Sequence, residues 1–463
     1  MVVLMISMQK CGSLNSFFEF ELGFYLAEEQ VYLLFLIFVH PMTQPKKLQS
    51  FLLTVYIAAI CFLTYACVYA FRKPFTIGLY LNEPKVFGVD YKNILVIAQV
   101  IGYTISKFCG IKYISELKNI GRGWAILTLL LLSWIPLLLF PFIDSPWNVT
   151  MLFLNGLPLG VLWGLIFSFV EGRKSTDFIG AAMAVSFIVS SGFVKSVGKW
   201  LQMQYLIAEN WIPFCTGAIF IIPIIILVYL LEKIPNPTYE ERVHKSIRVP
   251  LNKTDRKRFF TQFSFGLISF IIIYMFLSLF RDIRDNFAAE LWNELGYGNT
   301  ASIFTSTEIP IAICVLIMIA SMIYIKNNKI AFFLAQAIIL CGFIICGLST
   351  LLFLNHYISG YSWIVLVGLG LYMGYIPFNC ILFDRMIASY KLKANVGYFM
   401  YLVDAFGYVA SAGVIILKGT MDVNLSWTTF FSNGLVILSL VGMLFSILNM
   451  IYFSKKYKTI QYE

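Results

Sequence analysis

Charge is scarce in this chain, and histidine scarcer. Only 13% of the residues are Asp, Glu, Lys or Arg, and three histidines stand among 463 residues. The chain is 59% hydrophobic, with a mean hydropathy of +0.81. One soluble core cannot bury that much apolar surface, so a soluble fold is excluded. No ten-residue alternation of apolar and polar residues runs along it, which excludes a membrane barrel. The nine cysteines show neither framework nor metal-type spacing. Eight of them (Cys61, Cys67, Cys109, Cys215, Cys314, Cys341, Cys346 and Cys380) stand in apolar runs, as small core residues do. No HExxH, no Walker motif and no Ser–His or paired-Asp arrangement at catalytic spacing occurs. An intramembrane enzyme is therefore not expected, nor is a pump driven by ATP through this chain alone. No cofactor and no metal site is expected.

What the chain has instead is apolar runs of about 20 residues, the length that crosses the ~30 Å hydrocarbon layer. They predict an all-α membrane protein with twelve spans: 48–80, 93–111, 123–142, 148–170, 178–202, 209–232, 259–285, 300–325, 330–354, 360–383, 395–418 and 427–453. The long polar connection at 233–258 splits them six and six. The expected organisation is two pseudo-symmetric six-helix bundles, 46–232 and 259–463, joined by a basic cytoplasmic linker. The stretch 31–39 is apolar but too short to span, and no basic region with a cleavage site precedes it. Residues 1–45 are expected to be an extension that is disordered or no part of the native chain.

Topology explains most of the net charge of +10. With the start of span 1 inside, the inside segments carry 23 lysines and arginines, and the outside loops carry three, Lys85, Lys92 and Lys418. The excess of positive charge places both termini and the linker in the cytoplasm. No nucleic-acid partner is needed to explain it; the lipid bilayer is the partner implied.

Removing the loops leaves Arg72, Lys73, Lys107, Lys195, Lys199, Arg281 and Arg284 in or against the spans, with Asp282, Asp285, Glu308 and Asp404. A charge at a helix centre costs about 2.5–3.5 kcal/mol to insert, so such residues mark function. The motif YAFRKPF at 69–75 sits in a mostly apolar segment of 34 residues, 48–81. That is too long for one untilted span and too short for two. It predicts a long first helix holding Arg72 inside the membrane, bent at Pro74. Span 7 echoes it: Phe280-Arg281 stands where span 1 has Phe71-Arg72. Two arginines at equivalent points of two halves point to one central site near mid-membrane. A guanidinium fork suits phosphate or carboxylate. On one helix, Arg281 and Arg284 share a face, and Arg281 can reach Asp285. Lys73, Lys199 and Arg284 also read as interfacial residues, with Arg284 pairing to Asp282 or Asp285. Glu308 and Asp404 are candidate proton carriers, or fixed partners of Lys195 or Lys107. Glu171, Arg173 and Lys174, with Asp384 and Arg385, end spans 4 and 10 as gating pairs or as ordinary interfacial charge.

These residues resemble the major facilitator superfamily and, within it, the organophosphate:phosphate antiporters. The Arg72-Lys73 pair matches that family's arginine-lysine pair of span 1. YTISKF at 103–108 matches its Tyr-x-x-Ser-Lys-Phe motif, which puts Tyr103 and Lys107 at the substrate. Arg281 falls on its span 7 arginine, and FGYVAS at 406–411 on an aromatic-glycine packing segment. A nearer likeness is to a bacterial membrane family with the same FRKPF core. The likeness spans most of 46–455. It implies a monomeric secondary transporter of the bacterial inner membrane, an antiporter moving a small phosphorylated or carboxylated anion by alternating access. Arg72, Lys73, Tyr103, Lys107, Lys195 and Arg281 would bind it; Arg284, Asp285, Glu308 and Asp404 would couple or gate. Inorganic phosphate or a proton would be the coupling ion. A transporter-fold receptor that binds the anion without moving it is the alternative. The family's span 5 histidine is absent; Lys195 is the charge there.

Overall fold

In lipid a backbone must satisfy its own hydrogen bonds, so apolar runs of this length become helices. The computed structural model describes residues 46–86, 88–116, 121–170, 173, 176–235, 260–390, 396–420 and 426–462. The extension, most of the linker, and Glu171 and Lys174 at the charged end of span 4 lie outside the described residues. Two compact units are distinguished, 1–56 and 57–463. Of the first, only the opening turns of α1 are described; the rest concerns the second.

The helices are α1 (Lys46–Tyr69), α2 (Tyr91–Glu116), α3 (Arg122–Leu139), α4 (Val149–Leu159), α5 (Leu162–Phe167), α6 (Thr176–Tyr205) and α7 (Ile212–Glu232), followed by α8 (Ser264–Asn286), α9 (Ala288–Glu294), α10 (Ile303–Ile323), α11 (Asn328–Leu354), α12 (Gly360–Cys380), α13 (Leu382–Ser389), α14 (Val396–Thr420) and α15 (Trp427–Tyr462). Ten described helices are long and apolar enough to cross a membrane. The expected spans 2 and 11 are the helices α2 and α14, which fall outside that set and face one another across the halves. The halves are also joined by α6 against α10 and α12.

Three expected spans are interrupted, which corrects their boundaries. Spans 4 and 10 each break just after a proline: α4 holds Pro158 and gives way to α5, and α12 holds Pro377 and gives way to α13. A proline removes one backbone donor and crowds the carbonyl four residues before it. Span 1 is not one long bent helix either. It stops at Tyr69, turns through 70–73, and resumes as a 3-10 helix, Pro74–Ile77.

Polar side chains from neighbouring helices take up the carbonyls this break exposes. Asn155 of α4 donates to Phe71 O (2.9 Å) and to Ser133 O (2.8 Å). Gln99 of α2 donates to Arg72 O (2.9 Å) and to Asn155 Oδ1 (2.7 Å). Asn155 is fully buried. Replacing it by leucine strands two carbonyls and Gln99, at about 1–3 kcal/mol for each stranded group. Thermal unfolding of Asn155→Leu should show a clear loss of stability, with Asn155→Gln milder.

Glycines bring α2 and α4 into backbone contact. A Cβ on Gly102 would lie 2.3 Å from Phe153 O, one on Gly156 2.3 Å from Gln99 O, and one on Gly160 2.5 Å from Tyr103 O. This packing fixes the height of Tyr103 beside the break in span 1. Gly156→Val should cost about 1–3 kcal/mol through overpacking, read as a lower unfolding temperature.

Candidate functional site

The break in span 1 turns Arg72 toward α2. Its guanidinium carbon stands 4.0 Å from the centroid of the Tyr103 ring, a stacking distance. One turn further along α2, Lys107 Nζ lies 5.2 Å from the same ring. Lys107 then crosses to the other half, donating to Asp404 Oδ2 of α14 at 2.7 Å. The second carboxylate oxygen, Oδ1, accepts from the Tyr274 hydroxyl of α8 at 2.9 Å. The Tyr274 and Tyr375 rings are 5.1 Å apart. On the face of Tyr375, in α12, lies the Arg281 guanidinium, 3.9 Å from the centroid.

The result is a continuous run from one half to the other: Arg72, Tyr103, Lys107, Asp404, Tyr274, Tyr375, Arg281. Each arginine stacks on a tyrosine of its own half. Stacking uses the flat face of a guanidinium and leaves its N–H edge for in-plane bonds. The charged members are partly exposed: Lys107 25%, Asp404 19% and Arg281 17% by side chain.

A second layer is more deeply buried. Asp285, near the end of α8, is bound by Lys73 and by Lys195 of α6, and Ser191 of α6 also donates to it. Lys73 donates as well to Asn286 Oδ1 at 2.7 Å. Lys73 and Lys195 are 6% and 3% exposed by side chain. Lys92, in the first turn of α2, pairs with Glu290 of α9 at 2.6 Å and donates to Thr76 O at 2.7 Å. Ser196 bonds Thr305 across the α6–α10 contact, with oxygens 2.7 Å apart. Arg284 pairs with Glu308 of α10 at 2.8 Å, and both line a small cavity with Lys195, Asp285, Thr307 and Trp292.

Several expected pairings are replaced. Arg281 does not pair with Asp285; it pairs with Asp282 at 2.7 Å, whose other oxygen accepts from Ser411. Stacking on Tyr375 turns Arg281 toward Asp282, while two lysines of the other half hold Asp285. Arg284 pairs with neither Asp282 nor Asp285, because Glu308 faces it directly across α10. Lys195 is bound by Asp285 rather than by Glu308 or Asp404. Lys73 is not interfacial, and Lys92, assigned to an outside loop, is buried. Lys199 bonds only locally among the contacts described, to Gln202. Arg385 bonds Asn328, within its own half. Gly407 of the FGYVAS segment packs closely on Ser278 and Tyr274, as a packing glycine does.

Tyr274, Tyr375, Asn286, Ser191, Lys92 and Glu290 were not singled out by the sequence. One signal for Tyr274 exists: Tyr274, Ser278 and Arg281 recur at helical spacing along one face of α8. The others are brought in by tertiary contact.

The fold resembles those of several solved membrane transporters. The nucleoside transporter NupG superimposes with a TM-score of 0.57 at 13% identity, over 87% of this chain and 99% of that one. A D-xylose-proton symporter gives 0.55 at 16% identity, over 85% and 96%. A bacterial homolog of the human lysosomal transporter Spinster, in an inward-facing and unoccupied conformation, gives 0.52 at 11%, over 88% and 98%. At such identities the likeness is one of fold. No curated protein matches the sequence significantly. A family model does match, over residues 74–456. The chain belongs to that family, described as a family of unknown function, DUF5690.

Proposed function

We propose that this chain is a secondary transporter moving a small anionic metabolite by alternating access, with Arg72 and Arg281 holding the anion from the two halves. The observation that carries this is the run linking the two arginines through Tyr103, Lys107, Asp404, Tyr274 and Tyr375. A charge costs too much in a membrane to be kept idle, and here three cations and one acid line a single crossing between halves. Two stacked guanidiniums and an ammonium suit a phosphate or carboxylate, not a neutral solute. Lys73, Lys195 and Asp285 form the deeper layer that closes one side of this site. With the start of α1 in the cytoplasm, that closed side is the outer one. The chain is a monomer of the bacterial inner membrane in this reading, and it needs no nucleic acid or cofactor.

Thermal-shift screening of purified protein against phosphate esters, inorganic phosphate, dicarboxylates and acidic sugars tests the reading. A stabilising anion, weakened by high salt and lost in Arg72→Ala, is expected. Stabilisation only by neutral sugars or nucleosides would contradict it.

A further inference from the structure

We infer that Glu308 is a proton-carrying residue, protonated when the halves close along α6 and α10 and ionised when they part, so that the anion and a proton move together. The role in flux rests on the anion-transport reading; the protonation switch does not.

The carboxylates of the interior are not equivalent. Both oxygens of Asp404 accept, from Lys107 and Tyr274. Both oxygens of Asp282 accept, from Arg281 and Ser411. Both oxygens of Asp285 are taken, by Lys73 and by Lys195 with Ser191. Glu308 differs: Oε1 accepts from Arg284, while Oε2 is buried without a hydrogen-bond partner. An unmatched buried carboxylate oxygen is costly, and a proton there converts it to a neutral hydroxyl without disturbing Oε1. Glu290 Oε2 shares the feature, but Glu290 does not line the cavity.

Position gives Glu308 its leverage. It stands where the two halves touch most tightly. A Cβ on Gly192 of α6 would lie 2.7 Å from Glu308 Cγ and 2.3 Å from Phe304 O. The halves cannot part on this side without opening the contact beside Glu308 and its cavity. The carboxyl therefore meets bulk water in one state and is sealed in the other. Arg284 cannot follow it: its guanidinium carbon would lie 2.7 Å from a Cβ on Gly368, and its Nε donates toward Ile364 O. The groups facing Glu308 are Arg284 and Asp285 of α8, Lys195 of α6 and Tyr372 of α12. Ionised, Glu308 and Asp285 oppose Lys73, Lys195 and Arg284. Protonated, Glu308 leaves Asp285 alone against three cations. The proton thus raises the pull on an incoming anion, which couples the two in the same direction.

The test needs no knowledge of the anion. Ser196→Cys places a thiol at the α6–α10 contact. Its maleimide labelling, quantified by mass spectrometry in lipid nanodiscs, reports parting of that contact. Taken relative to a free cysteine peptide at the same pH, which corrects for the thiolate fraction, labelling should fall as pH falls, approaching about tenfold per pH unit, the limit for one proton. In Ser196→Cys/Glu308→Gln the corrected rate should be low and insensitive to pH. Should that variant fold poorly because Arg284 is left buried, Ser196→Cys/Arg284→Gln/Glu308→Gln removes both charges and should be equally insensitive. An acid-induced carboxyl C=O band in infrared difference spectra should be present in the wild type and missing in the Gln variants. A flat pH response in Ser196→Cys, or an unchanged response after Glu308→Gln, overturns the proposal. Anion binding that survives that result would leave the transport reading standing.

Discussion

Arg72→Ala and Arg281→Ala are each expected to weaken binding of the stabilising anion by about 10–150-fold. That is the equivalent of one lost charged hydrogen bond, about 1.5–3 kcal/mol. Both side chains lie on tyrosine faces rather than in the packed core, so both variants should fold. Arg→Lys at either position should not rescue, because an ammonium neither stacks on Tyr103 or Tyr375 nor presents a fork. The double variant should be little worse than either single one, since both act on one anion. Isothermal titration of the four proteins checks this. A loss confined to one arginine would place the site in one half only and defeat the cross-half arrangement.

The largest stability effect is expected at Asp285. It is the shared counter-charge of Lys73 and Lys195, both almost fully buried. Asp285→Asn leaves two like charges facing each other without compensation. Breaking a buried pair by removing one partner costs about 3–5 kcal/mol, and here two cations lose one acid. The unfolding temperature in detergent should fall sharply, or the protein should fail to accumulate. Lys73→Met/Asp285→Asn/Lys195→Met removes the whole cluster and should recover most of the loss, while abolishing closure on that side. An Asp285→Asn protein as stable as wild type would mean that the cluster does not hold the halves together.

Much of this was legible in the sequence because membrane insertion makes charge conspicuous. Arg72, Lys107, Lys195, Arg281, Arg284, Asp285, Glu308 and Asp404 stand out against apolar runs, and their positions in two halves suggested a crossing site. The pairing was not legible. Helical spacing offered Asp285 to Arg281, but which side of α8 faces the other half depends on packing, and packing gave Asp285 to two lysines from α6 and the span 1 break. That break was only half visible. Pro74 signals a disturbance, but the helix stops at Tyr69 because Asn155 and Gln99 are placed to donate to the exposed carbonyls, and neither is near it in sequence. Tyr375 and Tyr274 were hidden among many aromatic residues that merely pack. Lys92 looked like loop charge because Glu290 reaches it from the other half.

The central claim is movement of an anion through a site shared by both halves. Flux of the stabilising anion in reconstituted lipid vesicles tests it most directly. The account predicts counterflow of labelled anion in the wild type, lost in Arg72→Ala and in Arg281→Ala. Tight binding with no flux in the wild type would make the chain a receptor on a transporter fold, and flux undiminished in both variants would remove the two-arginine site.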